Sequence, residues 1–237
     1  MERSWKVSVC AAAVLLLAAC GQAEPVVKEG LLPEAEEYWM VETEGGQVAL
    51  RSGGEESLSL VWVKDGKETL LKTLEKETDY YEPKDVTAWT FTDTMGYDGF
   101  VLRTLAMGGF FGTNVYYVVE EGQLKQIADS FGFEVEDTAV DLNGDQQTEL
   151  ATNNTFGGDG HRTVAVFQRT ADGIEKGVLT LPEIPNHDNW GINSYMAEYD
   201  PIGKVFRITY SVRDQELTDS IETAGLEWFT FSPYEAG

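Results

Sequence analysis

Asp141, Asn143, Asp145 and Glu149 fall at alternating places in the stretch Asp141-Leu-Asn-Gly-Asp-Gln-Gln-Thr-Glu149. Side chains spaced in this way turn inward together when the chain curls, and their oxygens are what a hard cation takes. Calcium accepts six to eight oxygens at loose geometry, from carboxylates, amides, backbone carbonyls and water. Asp141, Asn143 and Asp145 would supply side-chain oxygens, Gln147 its backbone carbonyl, and Glu149 would close the shell directly or through water. Gly144 stands where such a loop must bend. An EF-hand is excluded, because its loop needs Gly at the sixth place and Glu at the twelfth, where this chain has Gln146 and Thr152. The same residue types also end hairpins without any metal, since Asn, Asp and Gly tolerate positive φ and cap their own backbone. Both readings put the stretch at a hairpin tip, between Phe133–Val140 and a strand that includes Leu150.

The pattern of these ten residues resembles the aspartate-rich loops of FG-GAP and VCBS repeats, in which such a loop joins two strands of a propeller blade. The resemblance implies a calcium role for Asp141, Asn143, Asp145 and Glu149. It is confined to Asp141–Leu150: the phenylalanine-glycine and glycine-alanine-proline signature of those repeats is absent.

Little else carries recognisable chemistry. The two histidines, His161 and His187, lack the spacing of a zinc site, and neither a Gly-x-Ser-x-Gly elbow nor a phosphate-binding loop occurs. His161 reads as a loop residue beside Gly157-Gly-Asp-Gly160. A glycosidase could hide in so acidic a chain, because its two carboxylates need no sequence motif. Aromatic residues in turn-rich segments are candidates for contact with a ligand: Phe110 and Phe111 in a glycine loop, and Trp190 in Pro185-Asn-His-Asp-Asn-Trp190.

The first residues give an address. Arg3 and Lys6 precede an apolar run, Val7 to Ala19, too short to remain as a membrane span. Leu17-Ala-Ala-Cys20 then resembles a bacterial lipobox, which implies cleavage before Cys20 and a diacylglycerol on its thiol. Residues 1–19 are expected to be a lipoprotein signal peptide, 20–36 a lipidated cysteine and tether, and 37–237 the folded domain. Cys10 leaves with the signal, so the mature chain has neither a disulfide nor a free nucleophilic thiol. The expected location is the extracytoplasmic face of a cell membrane.

The formal net charge is −24 in 237 residues, and losing Glu2, Arg3 and Lys6 with the signal makes it one unit more negative. A surface so acidic repels nucleic acid. The expected partners are the membrane, through the lipid, and a glycan or another envelope protein; the chain is expected to be a monomer and not an enzyme. A hydrophobic share of 42% with 11% aromatic residues supplies a packed core.

Runs rich in Val, Thr, Tyr, Phe and Trp alternate with Gly, Asn and Asp turns, which predicts an all-β fold. One unit echoes another at an offset of 48: Asp93 with Asp141, Gly96 with Gly144, Leu102 with Leu150, Val118 with Val166. Weaker copies flank these two. The first covers 40–74, with 68–78 open to reading as a short helix, and the fourth covers 194–231, with 215–223 read as a loop or short helix. Four divergent four-stranded antiparallel units predict a small β-propeller-like stack, because a single meander cannot bury both of its faces. A two-sheet β-sandwich is the alternative. The second unit has Met95 and Tyr97 in place of Asn143 and Asp145, and the fourth has Ile202 and Lys204, so one cation site is expected rather than four.

Overall fold

The structure is a computed structural model that describes residues 37–236 apart from 44, 54–55, 77, 81, 107–110, 157–160, 184–191 and 213–217. Cys20, Phe110, His187 and Trp190, with the expected signal and tether, lie outside the described residues. The chain is all-β, in antiparallel sheets.

Four strands, β1 (Glu37–Thr43), β2 (Gly46–Ser52), β3 (Ser57–Lys64) and β4 (Lys67–Glu75), make one sheet in chain order. A single 3-10 turn, Pro83–Asp85, leads into β5 (Val86–Thr94). There follow β6 (Tyr97–Ala106), β7 (Phe111–Glu120), β8 (Gln123–Val140), β9 (Glu149–Phe156), β10 (Arg162–Thr170) and β11 (Gly173–Leu179). Then come β12 (Ile192–Asp200), β13 (Val205–Val212), β14 (Thr218–Thr223) and β15 (Phe229–Pro233). β12, β13 and β14 form a three-stranded sheet, while β15 returns to pair with β11, giving an eight-stranded sheet in the order β15-β11-β10-β9-β8-β7-β6-β5.

Two expectations are corrected here. The second and third units are not separate sheets: β8 is one strand of 18 residues that carries the end of one and the start of the other. Lys67–Glu75 is the strand that the first unit called for, rather than the alternative helix. Thr218–Thr223, within the segment read as loop or helix, is a strand paired with β13.

β8 turns the long sheet back on itself. Glu134 has a φ of 51°, and the register against β9 shifts between Gly132 and Glu136. An irregularity of this kind, with two extra residues on β8, sharpens the local bend and twist. Gly132 permits the crossing, because a Cβ there would lie 1.8 Å from the carbonyl oxygen of Asn154. The bend brings β5–β8 over β9–β11, and Met95, Val101, Tyr116, Val118, Ile127, Leu150, Ala165 and Phe167 are buried between them. The outward faces are covered in turn. Leu50, Leu60 and Leu74 of the first sheet pack on Ala88, Phe100, Leu102 and Tyr117. Tyr199, Phe206, Ile208 and Tyr210 pack on Ala151, Val164 and Val166.

Single polar side chains tie these layers by imitating backbone. The Asn153 amide donates to the Tyr199 carbonyl (2.9 Å) and accepts from the Tyr199 N–H (2.7 Å). Trp39 donates its indole N–H to the Val86 carbonyl at 2.9 Å. The 48-residue offset also has a spatial counterpart. Leu102 lies in the first interlayer core and Leu150 in the next. Val118 lies in that second core and Val166 in the third. Gly96 and Gly144 both have left-handed backbones, with φ of 68° and 81°.

Candidate functional site

The Asp141–Glu149 stretch does join two paired strands, β8 and β9, with Val140 opposite Glu149. Its side chains fold inward onto its own backbone. Asp141 accepts from the N–H groups of Gly144 (2.7 Å) and Gln146 (3.0 Å), Asn143 from Asp145 (2.9 Å), and Asp145 from Gln147 (2.8 Å). Glu149 accepts from the Leu142 N–H at 2.7 Å. The Asn143 amide nitrogen then donates to both Asp145 (3.2 Å) and Glu149 (3.0 Å). Asn143, Asp145 and Glu149 are thereby joined to one another, while Asp141 is held by the loop backbone. The Gln147 contact found is its N–H on Asp145, not its carbonyl.

Charge in this loop is poorly balanced. None of the ion pairs between described residues involves Asp141, Asp145 or Glu149. Glu149 is buried at 2% exposure. Burial raises its pKa above the ordinary 4.5, and repulsion from Asp145 and Asp141 raises it further, against the hydrogen bond from Leu142. The fit to a cation is incomplete as the side chains lie. Among the described residues no three His, Cys, Asp or Glu groups close on one point in a way that could hold a metal ion, and the Asn143 amide nitrogen sits between two carboxylates. The donor chemistry nevertheless suits a hard cation. Each of the six carboxylate oxygens accepts one hydrogen bond and keeps a second lone pair.

The loop is clamped at both ends. Leu142 packs into the core between β9–β10 and β12–β13. Thr148 Oγ1 accepts from the Met95 N–H at 2.9 Å and donates to the Asp93 carbonyl. The two matched turns of the offset repeat thus touch each other. Where the third unit has Asn143, the second has Met95, fully buried at a φ of 54°. No protein-family model, curated protein or solved structure matches the chain.

A second constellation escaped the sequence reading. Asp137, half-buried on β8, accepts from the Asn114 amide (2.7 Å), the Tyr116 hydroxyl (2.9 Å) and, more weakly, Ser130 (3.4 Å). Burial pushes its carboxyl pKa up; those three hydrogen bonds and the Arg103 charge oppose the rise. Burial and the neighbouring Asp137 also raise the Tyr116 phenol. A cavity of about 350 Å³ opens here, lined by Asp137, Asn114 and Tyr116 together with Trp89, Arg103, Glu134 and Glu136. Arg103, Asn114 and Ser130 stand opposite one another as a rung across β6, β7 and β8. No motif spacing marks the set, because it is assembled across strands. The one legible signal was a string of acids, Glu134, Glu136 and Asp137, inside a strand.

Of the expected ligand residues, Phe111 is described. It sits in an aromatic cluster, with ring centroids 6.1 Å from Phe131, 6.4 Å from Phe133 and 5.8 Å from Phe156. Phe131 and Phe156 are exposed. His161 lies against Tyr195, the rings tilted at 36° with centroids 4.6 Å apart.

Proposed function

We propose that the chain is a monomeric, lipid-anchored extracytoplasmic domain that binds a glycan or an envelope protein and is stabilised by one calcium ion at Asp141–Glu149. The observation that carries the calcium reading is that three carboxylates and an amide share one hairpin tip, with Glu149 buried and no described cationic side chain in an ion pair with any of them. Asp141, Asn143, Asp145 and Glu149 would hold the ion, and Gln147 would add its carbonyl. The ion would supply charge neutralisation and nothing catalytic. Extracellular modules of this kind bind calcium at roughly 10⁻⁴ to 10⁻³ M.

The same reading takes the layers as four propeller-like units, the second and third fused through β8. Its support is the stepwise burial of the offset pairs, each matched residue one interlayer core further along. The sandwich alternative draws on the same face-to-face packing.

Thermal melting with and without millimolar calcium tests the ion. Metal-free protein should gain melting temperature on addition, and Asp141→Ala should lose that gain while melting near wild type in chelator. An equal loss in chelator would mean that Asp141 acts only through its hydrogen bonds to Gly144 and Gln146.

One observation favours a second reading, a polysaccharide hydrolase with two carboxylates. Asp137 has a raised pKa in a cavity that Glu134 and Glu136 also line, as a general acid beside a base would have. Release of reducing sugar from polysaccharide, abolished by Asp137→Asn, would establish that reading over the first.

A further inference from the structure

The cavity beside Asp137 has an unfinished interior. Asn114 is 2% exposed, its amide nitrogen is spent on Asp137, and its carbonyl oxygen Oδ1 has no hydrogen-bond partner. A buried acceptor left unpaired is costly, so a group that donates to it would be favoured. Arg103 lines the same space and makes no ion pair with any described residue. Trp89 adds an aromatic surface. A volume of about 350 Å³ falls within the usual range for small-molecule sites, roughly 300–1,000 Å³.

The occupant follows from elimination. An anion would meet Arg103 but also Asp137, Glu134 and Glu136. A simple ammonium would meet the carboxylates and the Asn114 carbonyl but would face the Arg103 guanidinium. A hydroxyl both donates and accepts, so neighbouring hydroxyls can give to Asn114 Oδ1 and take from Arg103 with no charge to oppose either. The C–H face of a sugar ring packs on an aromatic ring such as Trp89.

We propose that this cavity is a subsite for one neutral, polyhydroxylated ring, a monosaccharide unit of a glycan, held by Asn114 and Arg103 against Trp89. This deepens the binding-domain reading and rests on it, but it does not depend on calcium.

The test titrates the folded chain in chelator with glucose, galactose, mannose and N-acetylglucosamine, and with lysine and glycine as charged controls. Binding is followed by the indole N–H resonances, that of Trp89 being identified by its loss in Trp89→Phe. At least one sugar should shift the Trp89 resonance saturably, and Arg103→Ala should weaken that sugar about tenfold or more, as loss of a charge-assisted hydrogen bond predicts. Saturation by lysine or glycine alone, shifts confined to other indoles, or affinity unchanged in Arg103→Ala would each overturn the proposal. Should Arg103→Ala fail to fold, the Trp89 shift in the wild-type chain still decides. Failure with every sugar, alongside intact stabilisation by calcium, would remove the subsite and leave the calcium-stabilised domain standing.

Discussion

Glu149 is where the loop's electrostatics can be read from outside. Its raised pKa means that the folded chain holds this proton more tightly than the unfolded chain does. In metal-free protein its ionisation therefore costs stability above the folded pKa, and the cost fades as the pH falls through it. Calcium reverses the preference, because the ion takes the ionised form. The melting gain from calcium should accordingly shrink as the pH is lowered from about 7.5 to about 5, over and above the change in metal-free protein. A gain that holds constant across that interval would detach Glu149 from the ion. Met95 answers a different question, since it occupies the place of a ligand in the sister turn and is wholly buried. Met95→Ala should cost about 2–5 kcal/mol in urea denaturation, from the cavity left between the two halves of the long sheet. The loop residues were legible in the sequence because their spacing is local. Asp137, Asn114 and Arg103 were not, because a site drawn from three strands has no spacing to read.

Element boundaries followed the turn residues closely where a turn exists. Gly45, Gly66, Gly96, Gly122 and Gly173 have positive φ at or beside the ends of strands, and Gly144 has it within the Asp141–Glu149 loop. The reading failed where turn-like residues do not turn. Asp129, Ser130 and Gly132 lie where the second unit meets the third, yet β8 continues through them. Gly132 is there for close approach and not for reversal. Gly132→Ala would drive a Cβ into the Asn154 carbonyl, a backbone atom that cannot swing aside. The expected loss is about 3 kcal/mol or more in urea denaturation. A change below about 0.5 kcal/mol would mean that the crossing relaxes at little cost. β14 was missed for a related reason: acids and threonines on an edge strand look like loop when only one face is packed.

For the whole molecule the chief prediction concerns placement. With a net charge of −24, an anionic bilayer repels the folded part, so under the proposed anchoring any attachment would come from a lipid on Cys20. Cys20→Ala should move the protein from the membrane fraction to the soluble one, and unchanged fractionation would discard the anchor. The all-β class was legible because alternating strands and turn residues recur along the whole chain. Its layering was legible only through the offset of 48, which counts residues but not sheets. The return of β15 to the edge at β11, across the 49 residues between them, has no local signature at all.

The strand shared by both halves of the long sheet also bears on how such a chain can change. A repeat array usually grows or shrinks by whole units, each one replaceable. Here the second and third units own β8 in common, and an insertion within it would slip the ladders with β7 and β9 together. If the units are repeats, duplication or excision would be confined to the flanks, ahead of β5 or between β11 and β12, with the central pair kept as one piece.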